Sequence, residues 1–251
     1  MDSQRFDLVI FDLGSTLIYF EGKWSDVLAE GQQQLTRLLC QQGYSIDEDA
    51  FRAVFSARML DYYRERDTEF IEHTTEYVLR SLLAEFGYPD APRERLRPAL
   101  NAMYAVSQLH WQVEADAVAT LETLRRQGYR LAILSNASDD QDVQTLIDRA
   151  GIRAYFDFIL TSAAVGVRKP APRIFDYVLA HFQVPRQRAV MVGDTLGADI
   201  LGARNAGIAS VWITRRADTP DNRDHEDTIV PDAVIDTLIE LPALLVNWDQ
   251  R

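Results

Sequence analysis

The stretch LVIFDLGSTLIYF, residues 8–20, contains the first apolar run of the chain. Its opening residues, LVIF at 8–11, are apolar without alternation, a pattern typical of a strand that is buried on both faces of a parallel sheet. Asp12 follows directly, and the position two residues beyond it holds Gly14. The stretch therefore predicts a buried strand that presents a single carboxylate at its end.

Strand-like and helical patterns alternate beyond residue 110. The further apolar runs are LAIL at 131–134, FIL at 158–160, AVMV at 189–192 and IASVWI at 208–213. Two segments between them, residues 116–128 and 141–151, place apolar residues at helical spacing. Each has arginine near its end and closes on a glycine that suits a helix C-terminus. This alternation predicts an α/β fold with a doubly wound, Rossmann-like parallel sheet.

Residues 19–110 carry a different pattern, with four helical segments in succession and no strand-like run between them. The segments begin at WSDVLAEG, DEDAFRAV, TTEYVLRS and PRERLRPA. An all-helical insert after the first strand is the simplest interpretation. We therefore predict a core of residues 1–18 and 111–251 and a helical cap domain of residues 19–110.

The composition argues against several classes of partner. With 38 acidic and 26 basic residues in 251, the chain has a formal charge of −12, so it would repel a nucleic-acid backbone. The single cysteine, Cys40, cannot form an internal disulfide and lies in a helical pattern, which indicates packing. The sequence has no leader-like start and no apolar run of roughly 18 residues. We predict a cytoplasmic protein with neither a nucleic-acid nor a membrane partner.

Polar residues follow the predicted strands at their carboxyl ends, where open α/β sheets bind ligands. Asp12 follows LVIF, Ser135 follows LAIL and Asp194 follows AVMVG. Lys169 lies on the loop beyond FIL, and Asp199 comes five residues after Asp194. The sequence therefore predicts one polar site at this rim of the sheet.

These residue types suit phosphoryl transfer. A carboxylate such as Asp12 can act as a nucleophile and form a covalent intermediate, and Asp194 offers the oxygen ligands that Mg²⁺ prefers. Lys169 would offset negative charge, and the Ser135 hydroxyl can donate to a phosphoryl oxygen. Each residue taken alone also fits a turn, a helix cap or a solvated loop. Four such stretches at successive strand ends favour the catalytic interpretation.

The stretches FDLGSTL, LAILSNAS, VGVRKPAPRIF and VMVGDTLGADILGARNAG resemble the motifs of the haloacid dehalogenase-like (HAD) hydrolase superfamily. The resemblance runs from Leu8 to about Ile213 and is to the branch with a helical cap after the first strand. It implies a mobile cap and Mg²⁺-dependent hydrolysis of a small phosphorylated metabolite by a phosphatase. It implies these roles: Asp12 as nucleophile; Ser135, Asn136 and Lys169 as phosphate ligands; Asp12, Asp194 and the Gly14 carbonyl as metal ligands, with Asp199 at the supporting acidic position.

The chain departs from the phosphatase pattern at Gly14, where that pattern has a second aspartate that protonates the leaving group and later activates water. Loss of a general acid–base typically costs about 10²–10⁴ in rate. Enzymatic hydrolysis of phosphate monoesters can be accelerated by up to ~10²¹. The resemblance therefore implies a slowed enzyme.

Three alternatives remain open at this point. Dehalogenase-type relatives carry tyrosine at the position of Gly14 and need no metal, whereas GDTLGAD resembles a metal-site motif. Phosphonatase-type relatives carry alanine there and use a cap lysine, and Lys23 is the only lysine besides Lys169. The third alternative is a pseudo-enzyme that binds a phosphometabolite or a protein without turnover.

The predicted cap offers few clues to specificity. Its candidate polar or aromatic contacts to substrate are Glu21, Trp24, Glu69 and His73. A second group is expected to form cap core rather than pocket: Tyr62, Tyr63, Phe70, His73 and Tyr77. His110 and Trp111, where the cap rejoins the core, are expected to pack at the hinge.

Overall fold

The computed structural model describes residues 5–248, without the side chains of residues 67 and 68. A six-stranded parallel sheet forms its centre, with strand order β5-β4-β1-β6-β7-β8. The strands are β1 (Leu8–Phe11), β4 (Arg130–Ser135), β5 (Phe158–Thr161), β6 (Ala189–Gly193), β7 (Ala209–Ile213) and β8 (Ala233–Ile235). The five predicted strands and the parallel sheet are confirmed. The short edge strand β8 was not predicted; it has only three residues, and its central side chain, Val234, is exposed.

The sheet is covered on both faces. Val9 and Phe11 of β1 point into one hydrophobic core, while Leu8 and Ile10 point into the other, as the two-residue period of a strand requires. The core helices are α5 (Ala117–Arg126), α6 (Asp140–Arg149), α7 (Ser162–Val165), α8 (Pro172–Phe182), α9 (Leu201–Ala206), α10 (Pro220–Arg223) and α11 (Leu241–Val246). Helices α5, α6 and α11 pack on the first face, and α8 and α9 on the second. The predicted doubly wound arrangement is confirmed.

The register of the sheet positions the site. Phe11, the last residue of β1, pairs with Ile133 of β4 and Val192 of β6. Because the three strands are parallel, the residues that follow them, Asp12 and Asp194 among them, lie at the same edge of the sheet. The central strand β1 thus carries its carboxylate to the middle of that edge.

Four helices occupy the segment between residues 24 and 108. They are α1 (Trp24–Gln41), α2 (Glu48–Glu69), α3 (Thr75–Glu85) and α4 (Arg93–Gln108), and we call them the helical segment. They share a hydrophobic core of their own, with Leu35, Phe51 and Leu79 among its fully buried side chains. Cys40 lies half-buried in α1. No described helix is both long enough and apolar enough to cross a membrane.

A pair of short strands connects the helical segment to the core. Strand β2 (Ile18–Phe20) runs antiparallel to β3 (Trp111–Val113), and Phe20 lies opposite Trp111. Rings at this junction pack on one another, with Phe20 4.9 Å from Trp24 and 5.5 Å from both His110 and Trp111, measured between ring centroids. The chain therefore leaves and re-enters the core at one ordered place.

Candidate active site

One cavity at the carboxyl edge of the sheet contains all the site residues predicted in the core. They are Asp12, Gly14, Ser135, Asn136, Lys169, Asp194 and Asp199. The cavity has a volume of about 610 Å³ and extends from this edge into the helical segment. Residues separated by up to 187 positions in the sequence thus meet at one place, as the strand-end pattern predicts.

Lys169 is the centre of the site's hydrogen bonding. Its Nζ donates to Asp12 Oδ1 at 2.6 Å, to Asp199 Oδ1 at 2.7 Å and to the backbone carbonyl of Leu134 at 2.7 Å. These three bonds use the three N–H donors of an ammonium group. Lys169 is almost completely buried, and it fixes one oxygen of each of the two carboxylates.

Burial and charge shift the pKa values of these groups. Burial lowers the pKa of Lys169, but the carboxylates of Asp12 and Asp199 outweigh this effect and raise the pKa above its ordinary value. Burial raises the pKa of Asp12 to about 6, against the opposing effect of Lys169. Burial and the neighbouring carboxylates raise the pKa of Asp194 well above its usual range. The site therefore holds more negative charge than Lys169 neutralises.

The three carboxylates suit a divalent cation. Asp12, Asp194 and Asp199 each offer an oxygen within 4.8 Å of the other two. The Asp194 carboxylate accepts long hydrogen bonds from the hydroxyls of Thr16, at 3.4 Å, and Thr195, at 3.5 Å. An all-oxygen set of acidic ligands is the kind that Mg²⁺ prefers, and a cation here would offset the mutual repulsion of the carboxylates. The residues present therefore fit the implied metal.

Asp194 and Asp199 are held by the turn that follows β6. A single turn of π-helix, Leu196–Ile200, carries Asp199, whose Oδ2 accepts from the Thr195 backbone N–H at 3.0 Å. A Cβ atom at Gly193 would lie 2.3 Å from the Asp199 side chain, so only glycine allows this approach. π-Helical turns are frequent at functional sites.

Two supporting side chains near this turn were not predicted. Trp212 Nε1 donates to the Asp194 backbone carbonyl at 2.9 Å, and Asn222 Nδ2 donates to the same oxygen at 2.8 Å. Asn222 is buried in an otherwise exposed stretch, and its local sequence carries no signal of this role. Trp212 and Asn222 therefore hold the main chain of Asp194 in position.

Ser135 and Asn136 lie where β4 ends. Ser135 is buried and lines the cavity beside Lys169. Asn136 accepts from the Lys169 backbone N–H at 2.9 Å and donates to the Lys169 carbonyl at 3.0 Å. Both ends of the Asn136 amide therefore hold the main chain of Lys169, so its phosphate contact, predicted from the motif, stays a prediction.

The ring of Trp111 lies beside Gly14. A Cβ atom at Gly14 would lie 3.5 Å from this ring, an ordinary van der Waals contact. The backbone of Gly14 is outside the left-handed region, whereas the next residue, Ser15, is inside it with φ 57°. The hinge packing predicted for Trp111 is present in its contact with Phe20, and the ring also forms part of the cavity wall.

The candidate contacts from the helical segment require correction. Trp24 lines the cavity, but Glu21, Glu69 and His73 do not. His73 stacks on Tyr77 with 4.8 Å between ring centroids, while Tyr63, predicted to be core, is part of the cavity wall. Which face of a helix meets the sheet edge depends on helix packing, and the sequence pattern alone does not set it.

A buried carboxylate, Glu72, joins the helical segment to the core and was not predicted. It accepts hydrogen bonds from the hydroxyl of Tyr62, from Ser162 Oγ at 2.7 Å and from Arg168 Nη1 at 2.9 Å. Tyr62 belongs to α2, whereas Ser162 and Arg168 belong to the core. Glu72 is therefore an ion-paired link between the two parts of the chain.

Backbone contacts reinforce this link. The Glu72 N–H donates to the Gly166 carbonyl at 3.1 Å, and the Arg168 N–H donates to the Phe70 carbonyl at 3.2 Å. Ile71 and Val167 form an antiparallel bridge between them. We call this connection of residues 70–72 with 166–168 the Glu72 junction. It ends one residue before Lys169.

Comparison with known proteins identifies the family. The model of the haloacid dehalogenase-like hydrolases matches residues 6–207. The chain belongs to this family. The fold agrees, since a HAD phosphatase from Thermococcus onnurineus superposes with a TM-score of 0.65 at 28% identity, over 96% of this chain and 98% of that one. Structures of dehalogenases also match at lower identity and show the same fold.

Two relatives illustrate the range of similarity. The ribulose-1,5-bisphosphate 5-phosphatase of Halopiger xanaduensis is 31% identical over 94% of this chain and 98% of its own length. The phosphoserine phosphatase of Thermus thermophilus is 38% identical over 56% of this chain. The match spans only about half of the latter protein, 54% of its length.

Proposed function

We propose that this HAD-like hydrolase is a Mg²⁺-dependent phosphatase that acts on small phosphate monoesters through an aspartyl phosphate at Asp12. The observation that carries the proposal is the set of three carboxylates around the buried ammonium of Lys169. Phosphatase relatives support the same reaction class. The location in the cytoplasm stays a prediction.

The reaction divides into two displacements. In the first, a carboxylate oxygen of Asp12 forms a bond to phosphorus, the bond from phosphorus to the alcohol oxygen breaks, and that oxygen takes a proton from solvent. In the second, water attacks phosphorus and loses a proton to solvent, the bond from phosphorus to the Asp12 oxygen breaks, and phosphate leaves with the carboxylate restored. Splitting the displacement replaces one difficult step by two easier ones.

The surrounding residues orient and neutralise the reacting groups. Lys169 holds Asp12 Oδ1 and so fixes the direction of the carboxylate. The Ser135 hydroxyl, whose residue lines the same cavity, would donate to a phosphoryl oxygen. Asp12, Asp194 and the Gly14 carbonyl would hold Mg²⁺, with Asp199 in support. The metal when bound would neutralise negative charge on the transferring phosphoryl group. We also propose that the helical segment acts as the cap that encloses the substrate.

The alternative chemistries have less support. A metal-free dehalogenase has no need of the acidic set around Asp194, and position 14 carries no tyrosine. A phosphonatase would need a lysine from the helical segment, but Lys23 is exposed, pairs with Asp26 at 3.0 Å and does not line the cavity. The geometry therefore favours phosphate ester hydrolysis.

The test is turnover of p-nitrophenyl phosphate with and without Mg²⁺. We expect chelation to abolish turnover and added Mg²⁺ to restore it, because the carboxylates repel an anionic substrate when no cation is bound. Asp12→Asn is the control for contaminating phosphatases and should reduce turnover to background, since an amide is a poor nucleophile. Undiminished turnover after chelation contradicts the metal requirement. Full activity of the Asp12→Asn protein contradicts the assignment of the nucleophile.

A further inference from the structure

Three helices turn a mainly apolar face toward the cavity. The lining residues of α1 are Trp24, Val27, Leu28, Gly31 and Gln32, and those of α2 include Phe55, Met59 and Tyr63. This spacing of three and four residues places each set on one side of its helix. Helix α4 contributes Met103, and Trp111 closes the wall next to Gly14. The part of the cavity lined by these helices is thus walled mainly by aromatic, aliphatic and thioether groups, with Gln32, Arg66, Tyr104 and Ser107 as polar members.

The cationic side chains that line the cavity do not favour a substrate with a second anionic group besides its phosphate. Among the described residues that line the cavity, the cations are Arg66, Arg168 and Lys169, and each is engaged by a neighbour. Lys169 pairs with Asp12, Arg168 pairs with Glu72, and the Arg66 guanidinium lies 4.3 Å from the ring centre of Tyr63. Lys169 and Arg168 are therefore already neutralised by carboxylates and offer little attraction to a carboxylate or second phosphate on a substrate.

Carboxylates also line the region where α6 begins. Asp139 pairs with Arg97 at 2.8 Å, and Asp142 accepts from Gln108 Nε2 at 2.8 Å. Both aspartates lie on the cavity wall, beyond the three around Lys169. Arg97 offsets the charge of Asp139, but Asp142, which ionises above its raised pKa of about 7, would then repel a distal anionic group. Unfavourable charge of this kind is one way in which a site rejects a substrate.

We propose that the preferred substrates are phosphate monoesters whose alcohol carries an aromatic or extended apolar group and no second anionic group. This inference rests on the proposed phosphatase function and names the substrate class of the same site. Trp24, Trp111 and Met103 are the specificity-determining residues. Aromatic rings pack favourably on other rings and on methionine sulfur, and the cavity is large enough for a ring beyond the phosphate.

The test compares three esters with the same linker. They are propyl phosphate, 3-phenylpropyl phosphate and the phosphate ester of 4-hydroxybutyrate, in which the same three-carbon primary alkyl chain ends in hydrogen, a phenyl ring or a carboxylate. We expect kcat/KM for 3-phenylpropyl phosphate to exceed that for propyl phosphate by at least about tenfold, the effect of a modest apolar contact in a pocket. The ester with the carboxylate should have the lowest kcat/KM of the three.

Two variants test whether the apolar cavity wall causes the preference for the phenylpropyl ester. Trp24→Ala should reduce the ratio of kcat/KM between the phenylpropyl and propyl esters, and since Trp24 is 47% exposed its replacement leaves the core intact. Leu60→Ala is the matched control, because Leu60 lies on α2 but is 55% exposed and outside the cavity. Its ratio should equal that of the parent protein.

The outcomes separate this inference from the proposed function. Hydrolysis of all three esters with equal kcat/KM, or a preference for the carboxylate, overturns the inference and leaves the phosphatase intact. Lack of turnover of these esters and of p-nitrophenyl phosphate overturns the proposed function and the inference with it. A preference for the phenylpropyl ester that Trp24→Ala leaves unchanged contradicts the role of this wall.

Discussion

At the scale of single residues, Gly14 and Trp111 form the surroundings in which an aspartyl phosphate at Asp12 would be hydrolysed. Gly14 provides no carboxylate beside the nucleophile, and the Trp111 ring lies next to the position where such a side chain would begin. The backbone there has no left-handed conformation that would exclude other residues. Without a neighbouring base, we expect attack of water on the aspartyl phosphate to limit the rate.

Gly14→Asp tests this expectation. Rapid mixing of the parent protein with an aryl phosphate should show a burst of alcohol product followed by a slow steady state, because aryl leaving groups need little protonation. The variant should speed the slow phase by at most the ~10²–10⁴ that general acid–base catalysis contributes. Contact of the new side chain with the Trp111 ring limits this gain.

Gly14→Asn provides the control. It has nearly the same shape as the aspartate variant but cannot transfer a proton, so the slow phase should keep the parent rate. If the parent shows no burst and the aspartate variant no gain, another group supplies the acid–base function. The search then moves to Asp139 and Asp142 of the cavity wall, since Glu21, Glu69 and His73 lie outside it.

At the scale of elements, the Glu72 junction holds the helical segment against the core. The Glu72 side chain is fully buried and faces Arg168, whose side chain is 8% exposed. Removing one partner of a buried ion pair leaves an uncompensated charge and typically costs about 3–5 kcal/mol. An exposed pair contributes far less, about 0–1 kcal/mol.

We therefore expect Glu72→Gln to lower the free energy of unfolding by about 3–5 kcal/mol, as measured by urea denaturation. Glu85→Gln is the matched control, because Glu85 pairs with Arg58 at 3.0 Å on the surface of the helical segment. Its loss should be within about 1 kcal/mol. Equal effects of the two substitutions would show that the junction does not contribute specially to stability.

The elements also show what could be predicted from the sequence. Continuous apolar runs mark buried parallel strands, and parallel strands bring their carboxyl ends together, so Asp12, Lys169 and Asp194 could be placed in one site. The Glu72 junction could not be predicted, because Glu72 and Arg168 are 96 residues apart and nothing in either local pattern indicates a partner. The cavity contacts of α1 and α2 depend on how these helices pack, which local spacing does not determine.

At the scale of the whole molecule, a second contact between the helical segment and the core is sensitive to pH. Asp142 of α6 accepts from Gln108 of α4, and burial raises its pKa from 3.8 to about 7, although Gln108 and Arg97 oppose the shift and Asp139 adds to it. Between these pH values the unfolded chain ionises Asp142 while the folded chain keeps it protonated. Stability is therefore lost as pH rises through this range, and the loss is complete above about 7.

Asp142→Asn removes this titration while keeping an oxygen that can accept from Gln108. We expect the substitution to raise Tm relative to the parent at pH 8 and to change it little near pH 4. Thermal denaturation at the two pH values measures the difference. Asp90→Asn, at an exposed position, should have the same small effect at both. An Asp142→Asn effect that does not change with pH would contradict the raised pKa.

The antiparallel pairing of β2 with β3 affects which parts of such a protein can be replaced during evolution. Because Phe20 lies opposite Trp111, the chain leaves and returns at adjacent positions. The helices between them could therefore be replaced by other helices while the strands that carry Asp12 and Ser135 keep their positions. These helices do not form an independent unit, however, since Arg168 of the core pairs with Glu72 of the helical segment. A replacement set of helices without an equivalent carboxylate would remove this ion pair from a buried guanidinium. Successful exchanges should therefore inherit the carboxylate and the arginine together or lose both.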